Sequence, residues 1–237
     1  MLESLAHPAS FFFTLTYDQE HYPNDGNLQP AEISKFIKRA RYYSDQRIRY
    51  FVCGEYGSRT QRAHYHGIFF GTADHSIVSR AWRYGFVSFG SVTPSSIAYV
   101  GGYVTKKLTG SYYRQQNKVP EFARMSLNPG IGRPGLERLI EFLTSEQGAK
   151  LIAETGDVPA FVRWNQQKWP LGRYLRMKLR EAVGFDKIGT PEVVLASVAG
   201  ERAAHLEMDL EHYDKIRVQD GYIAEARQSR LRLREKL

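Results

Sequence analysis

Two strand-length runs constrain the fold of this chain more than anything else in it: Tyr50-Phe51-Val52-Cys53-Gly54-Glu55 and His64-Tyr65-His66-Gly67-Ile68-Phe69-Phe70. Both are aromatic and β-branched, and the segment between them, Tyr56-Gly57-Ser58-Arg59-Thr60-Gln61-Arg62-Ala63, is a polar loop containing glycine. The pair therefore reads as an antiparallel hairpin. Side chains alternate faces along a strand, so His64 and His66 project together while Tyr65 points the other way. Glu55 ends the first strand and reaches the same face across the ladder. Two imidazoles and one carboxylate, with further positions open to water or a phosphate oxygen, suit a Lewis-acidic divalent ion such as Mn²⁺ or Mg²⁺. Two histidines lining a polar sheet surface are the other reading, and the hairpin by itself does not decide between them.

A second segment carries candidate chemistry. Thr93-Pro94-Ser95-Ser96 is a helix start, with Thr93 as N-cap and Pro94 at the first helical position. At about 100° per residue, Ile97, Val100, Val104 and Leu108 form one apolar stripe. Tyr99, Tyr103 and Lys106 follow at i, i+4 and i+7, about 180–240° from Ile97. Two hydroxyls and an ammonium thus share the face that the helix does not need for its own packing. Gly101 and Gly102 each cost about 1 kcal/mol relative to Ala in a helix interior. Their lack of side chains predicts close approach to a neighbouring strand or room for a DNA backbone. An amphipathic helix with two half-buried tyrosines is the plainer alternative.

The order of these segments resembles a known family. The strand Phe13-Thr14-Leu15-Thr16-Tyr17, then Glu55 ahead of His64-Tyr65-His66, then Tyr99-x-x-x-Tyr103-x-x-Lys106, is similar to the three motifs of HUH-superfamily rolling-circle replication initiators. The resemblance is to the initiators of small single-stranded DNA phages, the microvirus group and its gokushovirus-like branch. The segments Phe122–Gly132 and Trp169–Arg176 look like that branch too, and the likeness runs from about Phe11 to Arg180. Those phage proteins carry more sequence, with cysteines, ahead of the first motif, whereas ten residues precede Phe11 here.

The resemblance implies that Glu55, His64 and His66 hold the metal, Mg²⁺ or Mn²⁺. It implies that Tyr99 and Tyr103 are paired nucleophiles, with Lys106 favouring the phenolate or holding the phosphate. One tyrosine attacks origin DNA and keeps the 5′ phosphate, leaving a 3′ hydroxyl for a host polymerase. The other cuts the regenerated origin, and the freed 3′ end seals the displaced circle. The implied partners are single-stranded or origin DNA and the host helicase and polymerase, in the cytoplasm of the bacterial host. Lys106 lies nearer Tyr103 than Tyr99, which ranks Tyr103 first for the nicking step. A plasmid initiator, relaxase or transposase would share this chemistry, although most transposases carry a lone tyrosine. A basic, non-catalytic DNA-binding module is the alternative from another class.

Global properties agree. The chain has 33 Lys+Arg against 25 Asp+Glu, a net charge of +8 that favours a polyanionic partner. Its single cysteine, Cys53, excludes an internal disulfide framework and a Cys-type zinc site. No apolar run approaches membrane-spanning length, and Met1-Leu2-Glu3-Ser4-Leu5-Ala6 lacks the basic start and long apolar stretch of a signal peptide.

The expected class is α+β: an antiparallel HUH nuclease sheet with flanking helices over residues 1–128, then a mainly helical region over 129–237. Strands are predicted at Phe11–Tyr17 and Phe86–Val92 beside the hairpin, and helices at Ala31–Tyr43 and His75–Arg83, packed on one side of the sheet. The boundary is set at Leu127-Asn128-Pro129-Gly130-Ile131-Gly132-Arg133-Pro134-Gly135, the densest loop punctuation in the chain. That loop, with Arg124 and Arg133 nearby, is either a phosphate cradle or a plain interdomain turn. Beyond it, helices are predicted at Gly135–Glu154, Leu171–Val183, Pro191–Arg202 and from Leu206 onward, with a small hairpin across Val158–Trp169. The basic tail Arg227–Arg234 either contacts DNA or is a solvated helix end.

Overall fold

The computed structural model describes residues 1–7, 9–57, 60–106, 117–164 and 166–185, with the backbone alone over 103–106. The helices expected at Pro191–Arg202 and from Leu206, and the basic tail, lie outside the described residues. Packing divides the chain into two units, Met1–Glu137 and Arg138–Leu237, later than the sequence boundary at 128/129.

The first unit is built on a five-stranded sheet. In chain order its strands are β1 (Ser10–Tyr17), β2 (Arg49–Tyr56), β3 (Ala63–Phe70), β4 (Gly85–Ser91) and β5 (Phe122–Met125). They lie side by side in the order β4-β1-β3-β2-β5, every neighbouring pair antiparallel. β1 is interior, as its run of three phenylalanines predicts, and the two faces share that run. Phe11, Phe13, Leu15 and Tyr17 are buried on one face, while Phe12, Thr14 and Thr16 alternate onto the other.

The first face is covered by α2 (Pro30–Tyr42), with Ile33, Phe36, Ile37 and Ala40 buried, and by α3 (Ser76–Ala81), with Ile77, Val78 and Ala81. Each such large apolar side chain contributes roughly 1.5–3 kcal/mol of burial. Gly67 permits this packing: a Cβ there would stand 2.4 Å from the Phe13 ring.

Helices cover both faces, not one, because the second face also carries apolar side chains. Cys53, Ile68 and Phe70 are buried there, with Phe12 and Phe51 beside them. They are capped by α4 (Pro94–Lys106) through Ile97 and Val100.

Two short elements escape a reading by periodicity. One is α1 (Leu2–Ala6), a single turn and a half whose Glu3 is buried against Arg49; the other is β5, the edge strand on β2. Glu3 accepts a hydrogen bond from the Gly132 N–H at 2.6 Å, and Arg49 donates to the carbonyls of Pro129 and Gly130 at 2.9 and 3.2 Å. The glycine-rich loop is therefore clamped to the first unit through its own backbone. Arg124 bonds Ser34, and Arg133 bonds Glu137. These local partners favour the turn over the phosphate cradle.

In the second unit, the helix expected over Gly135–Glu154 is a 3₁₀ turn (Arg133–Leu136, still in the first unit) leading to α5 (Glu137–Leu143) and then a separate α6 (Glu146–Thr155). Ser145 breaks it by capping α6, its hydroxyl accepting from the Gly148 N–H. The small hairpin forms as β6 (Phe161–Trp164) and β7 (Gln167–Pro170), followed by α7 (Gly172–Ala182). Asp157 is buried between Arg176 and Arg180 and ties α7 to the start of the hairpin.

Candidate metal centre and nucleophile

The register of three strands assembles the site. His64 lies directly opposite Glu55 on β2 and opposite Thr16 on β1; His66 lies opposite Cys53 and Thr14. Residues directly opposite in an antiparallel pair share a face, so one carboxylate, two imidazoles and two threonine hydroxyls converge there. Glu55 Oε1 is 2.7 Å from His64 Nε2 and 2.9 Å from His66 Nε2. Ligand-capable atoms of these three residues all lie within 4.8 Å of one another. Glu55 and His66 are buried and His64 is partly exposed, so the group opens to solvent on the His64 side.

The remaining imidazole nitrogens are held from behind. His64 Nδ1 donates to the Arg62 carbonyl at 3.0 Å, and His66 Nδ1 is 2.9 Å from Thr14 Oγ1. Such outer contacts orient histidines that bind metals and leave Nε2 as the ligand atom. Phe12 stacks on His66 with centroids 5.6 Å apart, fixing the ring from one side. Two imidazoles and a carboxylate, pre-oriented and close enough to share an ion, fit a divalent metal. Burial alone would lower the His64 pKa, but the hydrogen bonds to Glu55 and to the Arg62 carbonyl outweigh it and hold it above the ordinary histidine value. Cys53, on the same face, takes no part: it is fully buried, and burial pushes its thiol far above the ordinary cysteine range.

Tyr99 on α4 reaches this group. Its hydroxyl donates to Glu55 Oε1 at 2.9 Å and stands 3.4 Å from His66 Nε2, with its ring edge-on to the His66 imidazole. The anchoring of α4 by Ile97 and Val100 places the intervening Tyr99 at the rim of the packed surface, where 44% of it stays exposed. The helix face carrying Tyr99 is thus not turned from the sheet but overhangs it. A Cβ at Gly101 or Gly102 would meet nothing within 4 Å, so neither glycine serves close packing against a strand. Tyr103 and Lys106 belong to the same helix by backbone; their side chains lie outside the described residues. Thr14 and Phe12, which support His66, carry no signal of that role in the sequence, because only the β1–β3 register pairs them with it.

An antiparallel sheet presenting this triad under a helix tyrosine meets the expectation of a phage replication-associated protein. Residues 10–108 match the family model of the replication-associated protein ORF2. The chain is 35% identical over 147 residues to replication-associated protein ORF2 of Spiroplasma virus 4, covering 52% of this chain and 46% of that protein. It is 30% identical over 189 residues to replication-associated protein VP4 of Bdellovibrio phage phiMH2K, covering 68% and 59%. To replication-associated protein ORF4 of Chlamydia phage 1 it is 30% identical over 131 residues, covering 45% and 33%. The chain thus spans between a third and three-fifths of the lengths of these relatives. No solved structure matches it. The chain belongs to the replication-associated proteins of microvirus-like phages. Among the described residues no helix is long and apolar enough to cross a membrane.

Proposed function

We propose that this chain initiates phage DNA replication by nicking single-stranded origin DNA, with a tyrosine of α4 attacking a phosphodiester held at Glu55, His64 and His66. The observation that carries this reading is the contact of the Tyr99 hydroxyl with Glu55 Oε1, 2.9 Å, beside His66 Nε2. It puts a nucleophile against the donor set of a divalent ion. Mg²⁺ or Mn²⁺ bound by those three residues would supply Lewis-acid polarisation of a phosphate oxygen. Glu55 orients the phenol and offers the nearest acceptor for its proton. A phenol of pKa about 10 needs that help at neutral pH. The phenolic oxygen bonds to phosphorus as the bond from phosphorus to the 3′ oxygen breaks, and that oxygen leaves with a proton. The products are a 5′-phosphotyrosine and a 3′ hydroxyl. The bond energy is conserved, so resealing needs no nucleotide cofactor.

Tyr103, one turn on and about 6 Å along the axis, is the second nucleophile, which cuts the regenerated origin while the first tyrosine still holds DNA. Lys106, on the same side of the helix, assists the phosphate or the phenolate. The partners are origin DNA and the host helicase and polymerase, which extend the 3′ end in the bacterial cytoplasm. The test is a denaturing gel after incubation with the phage origin strand and Mn²⁺. A covalent protein–DNA band that chelator abolishes is expected. Binding with no covalent band under any metal would leave a non-catalytic DNA-binding module.

A further inference from the structure

We infer that the ring of Phe86 is a stacking platform for one unpaired nucleobase, a short way along the strand from the phosphate held at Glu55, His64 and His66. This rests on the reading of that triad as a phosphodiester site. Phe86 is 69% exposed on β4, the edge strand, yet it faces the same side as the triad. The register makes this explicit: Phe86 lies opposite Thr16, Thr16 opposite His64, and His64 opposite Glu55, one row across four strands. With neighbouring strands about 4.8 Å apart, Phe86 is about 10 Å from His64. A single strand covers that in roughly three nucleotides when stacked at about 3.4 Å, and in fewer when extended.

The ground between them is polar. Thr16 and Thr14 on β1 and Ser88 on β4 place hydroxyls on this part of the face, and Ser88 and Gly90 are exposed. Hydroxyls suit sugar and phosphate oxygens and do not suit an apolar protein partner. The helix that covers the second face leaves this end open, since Ile97 and Val100 pack over Cys53, Ile68 and Phe70. Among the described residues no ring packs on Phe86. Phe89, also partly exposed, points to the opposite face and is stacked on His75 at 4.5 Å. An exposed phenylalanine on a sheet edge invites aggregation unless it has an occupant, and an aromatic face beside a phosphate site stacks on any base.

The experiment is binding of an origin oligonucleotide in chelator, with a fluorescent adenine analogue placed in turn at each position flanking the nick. Quenching at one or two adjacent positions within about three nucleotides is expected, lost in Phe86→Ala and retained in Phe86→Trp. Phe86→Ala should bind the single strand roughly 5- to 100-fold more weakly and bind a duplex of the same sequence no differently from wild type. An unchanged melting temperature shows that the variant folds. Wild-type affinity and quenching in Phe86→Ala, or equal losses on single strand and duplex, would overturn the inference. Because no step of this assay requires cleavage, Phe86-dependent quenching without any covalent adduct under Mn²⁺ upholds the stacking and removes the nicking. A normal adduct with no Phe86 dependence removes the stacking alone.

Discussion

The hydroxyl of Tyr99 donates to Oε1 of Glu55 at 2.9 Å, across the gap between helix and sheet. That same oxygen is the one His64 and His66 contact. One carboxylate atom therefore couples the candidate nucleophile to the candidate metal ligands.

His64→Ala combined with His66→Ala should abolish covalent adduct formation while leaving most of the affinity for a single strand. The proposed metal acts on one phosphate, whereas affinity comes from Lys and Arg contacts spread over the surface. Calorimetric titration with Mn²⁺ checks the first half and filter binding the second. Undiminished nicking by the double variant in chelator would end the metal reading.

The two tyrosines should differ. The contact of Tyr99 with Glu55 reverses the ranking that the spacing of Lys106 suggests, so Tyr99→Phe is expected to give the larger loss in single-round nicking on a short origin oligonucleotide. Tyr103→Phe should nick and then stall at the second cut. The double variant should form no adduct; covalent DNA mapped by mass spectrometry to another residue would overturn the assignment.

Thr14→Val keeps the shape of the side chain but removes the hydroxyl behind His66 Nδ1. Metal affinity should fall about 10- to 100-fold, with Thr14→Ser near wild type. Equal affinities for all three proteins would mean that the hydroxyl does not orient the imidazole.

Protons should compete with the metal at His64. Its pKa is held above the ordinary value of about 6.5, so the metal-free fold gains stability from the protonated ring below that pH and loses the gain as pH rises through the raised pKa. Metal binding has the opposite sign, since Nε2 must lose its proton. Mn²⁺ affinity should increase from about pH 6 to about pH 8 with net proton release, read by calorimetry in two buffers of different ionisation enthalpy. Affinity independent of pH over that range would contradict it.

In the second unit, Asp157 carries the ion pairs with Arg176 and Arg180. Burial would raise its pKa, but hydrogen bonds from Arg180 and the Val158 N–H and the charges of both arginines hold it below the ordinary carboxylate range. Its contribution is present above the unfolded value of about 3.9 and lost as pH falls through the lowered one. Asp157→Asn leaves two buried guanidinium groups short of their counter-charge and should destabilise this unit by about 3 kcal/mol or more. Urea unfolding followed by the fluorescence of Trp164 and Trp169 measures this; a change under about 1 kcal/mol would refute it.

The parts of this protein set by near neighbours in the chain were legible without coordinates. Alternation along a strand puts His64 and His66 on one face, a polar loop returns β2 to β3 with Glu55 opposite His64, and the wheel of α4 separates Ile97 and Val100 from Tyr99. Periodicity is a local property, and it fails where the partner comes from far along the chain. The pairing of β1 with β3 brings Thr14 behind His66, and its pairing with β4 puts Phe86 in line with His64. The burial of Phe12, Ile68 and Phe70 on the second face calls α4 down onto the sheet and delivers Tyr99 to Glu55. The clamp of Glu3 and Arg49 on the Pro129–Gly132 backbone is of the same kind. A break such as Ser145 depends on whether two helices must turn a corner, which their apolar faces decide together. The amino-acid order by itself determined which chemical groups stand on one face of the hairpin; the packing of distant elements decided which of them touch.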